Sequence, residues 1–260
     1  MTDLAERLRV GRIIAAKGAK LAAEYFAKRE TLLNESKLAP LDLVTEADRA
    51  VEELLKAELA EAFPDDGFWG EETGGDPSKS LWVADPIDGT SNFVAGLPLW
   101  GTSLAYVQNG EAKIGFLVFP QLGTSYEAIK NGGAFRDGKP IQASPDDRMD
   151  RARVIFGRSP ALDPANPLKF ATGVLAGGAV IYAFNCCIFN LSRVAEGACH
   201  AYYEEHVHPW DYAAAGLLAS EAGARVAMDM SPKAYVSGGS LLASAPGLWE
   251  AVKDHATLKR

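Results

Sequence analysis

The residues best suited to chemistry stand together in the segment Asp85-Pro86-Ile87-Asp88-Gly89-Thr90, which follows an apolar run from Leu81 to Ala84. The apolar run predicts a strand that enters a turn. Two carboxylates three residues apart across that turn can converge on one point, and carboxylate oxygens are the hard ligands that Mg²⁺ prefers. Gly89 lets the backbone approach a ligand closely, and Thr90 with Ser91 can open a helix whose N–H groups would receive a phosphate. The alternative is a turn that merely favours Asp and Gly, but the whole hexapeptide at a strand end favours a site.

Three other acidic residues are candidates for the same site as this segment. Glu71 lies in Gly70-Glu71-Glu72-Thr73, a predicted loop that by itself would be a solvated acidic tip. Asp211 precedes a helical run and by itself would be an ordinary helix cap. Asp48 stands three residues after Thr45, a spacing that by itself indicates only a capping box.

Taken together, these segments resemble the inositol monophosphatase family of metal-dependent phosphatases. The resemblance runs from about Lys37 to about Gly223 and is densest from Asp85 to Phe93. Four segments in order carry it: Leu43-Val44-Thr45-Glu46-Ala47-Asp48, Gly70-Glu71-Glu72, Asp85-Pro86-Ile87-Asp88-Gly89-Thr90-Ser91-Asn92-Phe93, and Trp210-Asp211-Tyr212-Ala213-Ala214-Ala215.

The resemblance implies a cluster of two to three Mg²⁺ ions per site. Glu71, Asp85 and the Ile87 carbonyl would hold the first ion, and a weaker third ion would bind near Glu71. Asp85, Asp88 and Asp211 would hold the second ion. The metal ligands would thus come from three separate parts of the chain.

The resemblance also implies roles for the remaining residues of the site. Gly89 and Thr90 would bind phosphate through backbone N–H groups. Asp48 and Thr90 would orient the attacking water, and Glu71 would take part in catalysis as well as in metal binding. Lys37 would be the lysine of a mobile loop near the site. We expect direct attack by activated water on the phosphorus, with no phosphoenzyme intermediate.

Substrate selection is expected in the second half of the chain. Glu204 and His208 fall where family members contact the alcohol part of the substrate. The segment from Tyr182 to Cys187 departs from inositol-preferring members, which carry an Arg followed by small residues. Asn185 and Cys186 are therefore candidate specificity residues; alternatively, Cys186 belongs to the core with its neighbours.

Several functions stay compatible with this pattern. The default is hydrolysis of an inositol monophosphate-like ester, a small phosphorylated metabolite. The alternatives within the same chemistry are histidinol phosphate, fructose 1,6-bisphosphate, another sugar phosphate and 3′-phosphoadenosine phosphates. An alternative of another class is a regulatory binding protein with incidental phosphatase activity. The complete carboxylate set favours an enzyme.

Two predicted helices and a run of strands must position the first part of the site. Helical spacing from Leu4 to Tyr25 predicts one helix, and a second begins at Thr45 and ends before Pro64. A period of two follows, and it predicts an antiparallel sheet joined by tight turns. The strands are expected at 104–107, 114–119 and 126–129, with turns at Asn109-Gly110, Asn131-Gly132 and Asp137-Gly138.

The second half alternates strand and helix, which predicts a second sheet covered by helices. Strands are expected at 154–156, 180–183, 201–203, 225–227 and 241–243, and helices at 168–175, 187–196, 212–222 and 248–255. We expect two lobes of one structural unit, residues 1–150 and 151–260. The fold class is mixed α+β or α/β. The resemblance implies a layered αβαβα sandwich with an antiparallel first sheet and a mixed second sheet.

Composition sets the remaining expectations. The chain has 260 residues and a formal net charge of −8, which argues against nucleic acid or an anionic membrane as partner. The 3 cysteines are too few and wrongly spaced for a disulfide framework, so we expect reduced thiols and a cytoplasmic location. The family resemblance adds two further expectations, a homodimer and sensitivity to lithium.

Overall fold

The fold is an alternation of helices and sheets in a computed structural model that describes residues 4–32, 34–36, 43–75, 78–159 and 163–258. The helices are α1 (Leu4–Ala27), α2 (Glu46–Ala62), α3 (Thr90–Ala95), α4 (Ala165–Ala176), α5 (Cys187–Ala195), α6 (Pro209–Glu221), α7 (Pro232–Ser237) and α8 (Trp249–Lys253). The strands of the first half are β1 (Asn34–Ser36), β2 (Leu43–Thr45), β3 (Gly67–Gly70), β4 (Gly74–Gly75), β5 (Ser80–Asp88), β6 (Gly101–Gln108), β7 (Glu111–Phe119), β8 (Thr124–Ile129), β9 (Gly133–Arg136) and β10 (Lys139–Pro140). The strands of the second half are β11 (Arg153–Phe156), β12 (Val180–Tyr182), β13 (Ala201–Val207), β14 (Arg225–Ala227) and β15 (Gly239–Ser244).

The first large sheet has eight strands in the order β10-β9-β8-β7-β6-β5-β3-β4. Its pairs are antiparallel, as predicted, except that β3 and β5 run parallel. Asn109, Asn131 and Asp137 have positive φ, as expected for the turn residues of tight hairpins. The parallel pair matters for function, because it brings the ends of β3 and β5 to the same edge.

The second large sheet has five strands in the order β12-β11-β13-β15-β14. Strand β11 pairs parallel with both β12 and β13, while β15 pairs antiparallel with β13 and β14. The sheet is therefore mixed, as predicted. The carboxyl ends of its three parallel strands lie at one edge.

Three apolar cores separate five layers. One core lies between the first sheet and helices α1 and α2, and it contains Val51 and Trp82. A second lies between the two sheets around α5 and α6, and a third joins the second sheet to α4 and α8. The order helix, sheet, helix, sheet, helix is the layered αβαβα sandwich that the sequence resemblance implies. Helix α6 packs against strands of both sheets, so the two halves share a core.

The long elements lie where the sequence predicts them. Helix α2 begins after the Thr45 N-cap, and the capping box with Asp48 is present. The sequence patterns missed short elements such as β3, β4 and α7, because a run of two to six residues has too few positions to show a period. None of the helices in the described part of the chain is long and apolar enough to cross a membrane.

Candidate active site

Strand β5 presents Asp85 and Asp88 at its end through a local irregularity. The pairing of β5 with β6 shifts register between these two residues, so the strand bulges there. The buried Thr102 hydroxyl donates to the Pro86 carbonyl at 2.9 Å, and the Ile87 N–H donates to Asp85 Oδ1 at 2.9 Å. The bulge places both carboxylates in the interior, with Asp85 only 1% and Asp88 only 8% exposed.

Glu71 reaches the same place because β3 and β5 are parallel. Gly70 pairs with Ala84, and the Glu71 N–H donates to the Ala84 carbonyl at 3.2 Å. Glu71 and Asp85 directly follow this pair of residues, so they lie beside each other. The sequence analysis did not predict this parallel pairing, which places Glu71 next to Asp85.

Asp211 comes from the first turn of α6. Its Oδ2 accepts the His208 N–H at 2.7 Å, so the N-cap is His208 and Asp211 is the third residue of the helix, not the N-cap that the sequence suggested. The helix that carries it is buried on most sides between the two sheets. Capping and membership of the acidic cluster are thus compatible roles for one side chain.

Asp88 is also held from the second half of the chain. Its two carboxylate oxygens accept the N–H groups of Cys187 at 3.1 Å and Ile188 at 2.5 Å. These are the first residues of α5, where N–H groups have no partner within the helix. The N-terminus of α5 therefore fixes a carboxylate of the first sheet.

Burial and neighbouring negative charges raise the pKa of Asp85, Asp88 and Asp211. Burial raises the pKa of Asp85 well above its usual range, and the charges of Glu71, Asp88 and Asp211 raise it further. Burial raises the pKa of Asp88 to about 7 against the opposing effect of the Ile188 and Cys187 N–H groups. Burial, followed by the charges of Glu71 and Asp88, raises the pKa of Asp211. Four acidic groups from three segments therefore share one electrostatic environment.

This donor set fits hard divalent cations. Within the described residues, Asp85, Asp88 and Asp211 form no ion pair with a lysine, arginine or histidine. Among the same residues, no three His, Cys, Asp or Glu side chains form a preformed ligand group around a single point. Buried oxygen donors whose charges repel one another are the groups that a bound cation would stabilise.

Asp48 and Thr90 form a hydrogen-bonded pair beside the cluster. Asp48 is fully buried, and its Oδ2 accepts the Thr45 N–H at 2.8 Å and the Thr45 hydroxyl at 2.6 Å. The Thr90 hydroxyl lies 3.2 Å from Asp48 Oδ1 and 2.9 Å from the Ile87 carbonyl. The capping box of α2 thus holds a carboxylate that orients Thr90.

Gly89 has to be glycine for two reasons. Its φ is +87°, a conformation that other residues rarely adopt, and it caps the N-terminus of α3. A Cβ at this position would lie 2.9 Å from the Leu99 carbonyl oxygen and 3.1 Å from Cys186 Cβ. The backbone here is closely packed between the two halves of the chain.

The carboxyl ends of the parallel strands β11, β12 and β13 form a second region, which we call the wall. Ile155 on β11 is in register with Tyr182 on β12 and Tyr202 on β13. Two residues further along these segments come Gly157, Phe184 and Glu204. A Cβ on Gly157 would lie 1.9 Å from Glu204 Oε2, so the carboxyl group lies over this glycine.

The wall has one acidic and one aromatic part. Burial raises the pKa of Glu204 to about 7, the hydrogen bond from Tyr202 opposes the shift, and the charge of Asp88 adds to it. The rings of Tyr182 and Phe184 stack with their centroids 5.5 Å apart. Glu204 is thus close enough to Asp88 to interact with the acidic cluster.

The other expected substrate residues occupy different environments. Asn185 is exposed with φ +52°, whereas Cys186 is buried and its Sγ lies 3.6 Å from the Asp88 carbonyl oxygen. The His208 ring stacks on Trp210 at 4.3 Å, and burial lowers the pKa of His208. Lys37 lies outside the described residues. A substrate contact therefore stays a prediction for each of these residues.

The cysteines are all buried and free. Burial raises the pKa of Cys186 and of Cys187 well above the usual thiol range. Thiols in that state are poor nucleophiles. Burial therefore agrees with the core alternative that the sequence left open for Cys186.

Sequence reasoning assigned no role to three polar residues that hold the site together. Asn92 donates from Nδ2 to the carbonyls of Leu99 and Phe184, both at 2.7 Å, and so joins α3 to the wall of strand ends. Thr102 supports the bulge of β5, and Glu52 binds the loop that carries Glu71. Glu52 had a signal, since it lies one helical turn after Asp48 on a face otherwise lined by apolar residues.

Comparison with known proteins identifies the family of the chain. A model of the inositol monophosphatase family matches residues 3–257. The chain is 34% identical to a histidinol-phosphatase of Chlorobaculum parvum over 81% of each protein, and 32% identical to human inositol monophosphatase 1 over 75% of this chain and 74% of that one. It superposes on the solved IMPase of Thermotoga maritima with a TM-score of 0.84 at 29% identity, covering 96% of each chain. The protein described here belongs to the inositol monophosphatase family and is a phosphoric monoester hydrolase.

Proposed function

We propose that this phosphatase hydrolyses a small, inositol monophosphate-like ester and depends on two to three Mg²⁺ ions per site. The observation that carries the proposal is the shared environment of Glu71, Asp85, Asp88 and Asp211, in which negative charges raise the pKa of neighbouring carboxyl groups. The ligands would be Glu71, Asp85, the Ile87 carbonyl, Asp88 and Asp211. Bound Mg²⁺ would polarise the phosphoryl group, lower the pKa of a water molecule and stabilise the departing alkoxide.

The pair of Asp48 and Thr90 directs the attacking water. Because Asp48 Oδ2 is occupied by Thr45, Oδ1 is the carboxylate oxygen open to the Thr90 hydroxyl at 3.2 Å, and the Ile87 carbonyl at 2.9 Å is the other acceptor of the same hydroxyl. A Thr90 hydroxyl that donates to Asp48 offers its own lone pair to a water proton. The water then presents its oxygen to the phosphorus, Glu71 accepts the proton that the water loses, and that proton returns to the departing alkoxide as the ester P–O bond breaks. The product is the alcohol and inorganic phosphate, and no covalent phosphoenzyme forms.

The backbone of Gly89 and Thr90 binds the phosphate oxygens in this proposal. Thr90 begins α3, so its N–H has no acceptor within the helix. Gly89 leaves no side chain between this backbone and an incoming anion. Fixed N–H dipoles stabilise phosphoryl charge without reorganisation during the reaction.

Glu204 and His208, together with Asn185 and Cys186, select the alcohol in this proposal. A carboxyl group accepts hydrogen bonds from the hydroxyls of an inositol-like alcohol, which supports the default substrate. Histidinol phosphate is the second candidate. It is favoured by the similarity to a histidinol-phosphatase and by the stacked rings of Tyr182 and Phe184, which suit a planar ring.

An activity panel tests the proposal. Inorganic phosphate release with Mg²⁺ is measured on inositol 1-phosphate, histidinol phosphate, fructose 1,6-bisphosphate, glycerol 2-phosphate and 3′-phosphoadenosine 5′-phosphate. We expect one substrate to be far faster than the others, and we expect the activity to disappear in EDTA. Equal rates with and without Mg²⁺ would refute the metal dependence.

A regulatory binding protein remains the competing interpretation, and one substitution separates the two. Asp88→Asn leaves the fold's outer surface unchanged because Asp88 is 8% exposed. An enzymatic role predicts that cells expressing this variant lose the function of the protein together with its activity. A cellular role that survives without activity would favour the binding protein.

The assembly and location complete the proposal. We propose a homodimer, which sedimentation of the purified chain tests directly; a monomer would contradict it. We also propose a cytoplasmic location, supported by the absence of disulfides among the 3 buried cysteines. We also propose that millimolar lithium inhibits phosphate release, and an unchanged rate in lithium would contradict this.

A further inference from the structure

The buried carboxylate of Glu52 has no part in the roles assigned so far. It lies on α2 one turn after Asp48 and is only 1% exposed. A carboxylate is costly to bury unless it is hydrogen-bonded. What Glu52 binds therefore indicates what it does.

Glu52 binds the tip of the loop that carries Glu71. Its Oε2 accepts the Glu72 N–H at 2.8 Å, and its Oε1 accepts the Thr73 N–H at 2.8 Å. Both oxygens of one carboxylate are thus directed at the two peptide groups that directly follow Glu71. Successive N–H groups around an anion form a rigid backbone arrangement.

The packing on the other side of the loop leaves little freedom. A Cβ on Gly70 would lie 2.2 Å from Glu52 Cδ, so the backbone before Glu71 also lies against this carboxyl group. The Glu71 N–H is meanwhile fixed on the Ala84 carbonyl of β5 at 3.2 Å. Glu71 is therefore held by β5 on one side and by Glu52 on the other.

We propose that Glu52 is a positioning residue that sets the place of Glu71 relative to Asp85, and so sets the affinity of the site for Mg²⁺. This inference rests on the proposed function, because it concerns the same metal cluster. Helix α2 then controls two parts of the site, since Asp48 orients Thr90 while Glu52 orients Glu71. Residues that orient a metal ligand typically change metal affinity 10- to 100-fold when they are replaced, which is about the range expected here.

Calorimetric titration of the purified full chain with MgCl₂ tests the proposal without relying on activity. Glu52→Gln replaces one acceptor oxygen with an NH₂ group that faces an N–H, and we expect Mg²⁺ binding about 10-fold weaker. Glu53→Gln is the matched control, since Glu53 is the exposed neighbour on the same helix, and it should bind like the parent. At saturating Mg²⁺ the kcat of Glu52→Gln should return to within about 3-fold of the parent, because the ligand set is intact.

The outcomes separate the inference from the function on which it rests. A parent that shows no Mg²⁺ binding overturns the proposed function itself. A parent that binds Mg²⁺ while Glu52→Gln binds equally well overturns only the role of Glu52, as does equal weakening in Glu53→Gln. Should Glu52→Gln fail to fold, Glu52→Asp takes its place; it keeps the charge but withdraws the carboxylate from the loop, and it should also weaken Mg²⁺ binding.

Discussion

The carboxylate cluster and the wall of strand ends interact through Asp88 and Glu204, but they are built in different ways. The cluster depends on local devices: a bulge at Asp85–Asp88, a capping box at Asp48 and the contact of Asp211 with the N-cap of α6. The wall is built from the ends of parallel strands, where Gly157 lies against Glu204 although the two are far apart in sequence. In the proposed function, the cluster carries the chemistry that any phosphate ester needs, whereas the wall contacts only the alcohol. Changes in the first should therefore affect every substrate alike, and changes in the second should alter selectivity.

The largest effect is expected from the cluster. Asp88→Asn removes a carboxylate charge at the proposed second Mg²⁺ ion, and we expect kcat/KM to fall about 10³-fold on every substrate, since metal stabilisation is worth several kcal/mol. Phosphate release across the panel measures it. The exposed Asp65→Asn serves as control and should match the parent. A loss of activity confined to one substrate would contradict the proposal that changes in the cluster affect every substrate alike.

The second-largest effect is expected at Gly89, where the backbone is packed between the two halves of the chain. Gly89→Ala places a Cβ 2.9 Å from the Leu99 carbonyl oxygen, and we expect kcat to fall about 10²-fold because the phosphate-binding backbone must move. Gly123→Ala is the matched control, since Gly123 also has positive φ but no atom lies within 4 Å of its added Cβ. Equal losses in both variants would mean that backbone strain, and not the closeness of the two halves, is responsible.

The wall should show a smaller and selective effect. Glu204→Gln keeps the shape of the side chain but weakens its hydrogen bonds, so we expect kcat/KM for the preferred substrate to fall about 10-fold. Glycerol 2-phosphate, which is smaller, should change little. The measurement is the ratio of kcat/KM for the two substrates, with the exposed Glu250→Gln as control. A uniform loss on both substrates would assign Glu204 to the cluster.

The smallest effect concerns stability and pH. The pKa of Asp88 and that of Glu204 are each raised to about 7 in the folded chain, so between about pH 4 and 7 the folded state binds more protons than the unfolded state. Stability in EDTA should therefore fall as pH rises through this window, with a loss of about 5 °C in Tm. Scanning calorimetry at pH 5.5 and 7.5 measures this change in Tm, and Asp88→Asn should make the change smaller.

Added Mg²⁺ should raise the Tm more at pH 7.5 than at pH 5.5, because protons compete with the metal for the carboxylates. A larger stabilisation at pH 5.5 would contradict the proposal that these carboxylates bind the metal.

Much of the fold and of the cluster could be predicted from the sequence. The helix start at Thr45, the turns at Asn109 and Asp137, and the alternation of the second half all have local causes, and the structure confirms them. Short elements could not be predicted, since β3 covers only Gly67–Gly70. The parallel pairing of β3 with β5 was equally invisible, because pairing direction depends on long-range contacts.

The sequence by itself determined the kinds of residues that do the chemistry, since an acidic turn after an apolar strand already combines hard oxygen ligands with a flexible backbone. Only the tertiary structure decided how these residues meet: Glu71 beside Asp85 through a parallel strand pair, Asp88 on the N–H groups of α5, and Glu52 on the loop of Glu71. The reason is physical. Residue type and short spacing act through the local backbone, whereas the burial that raises the pKa of Asp85 and Asp88 comes from elements folded together from distant parts of the chain.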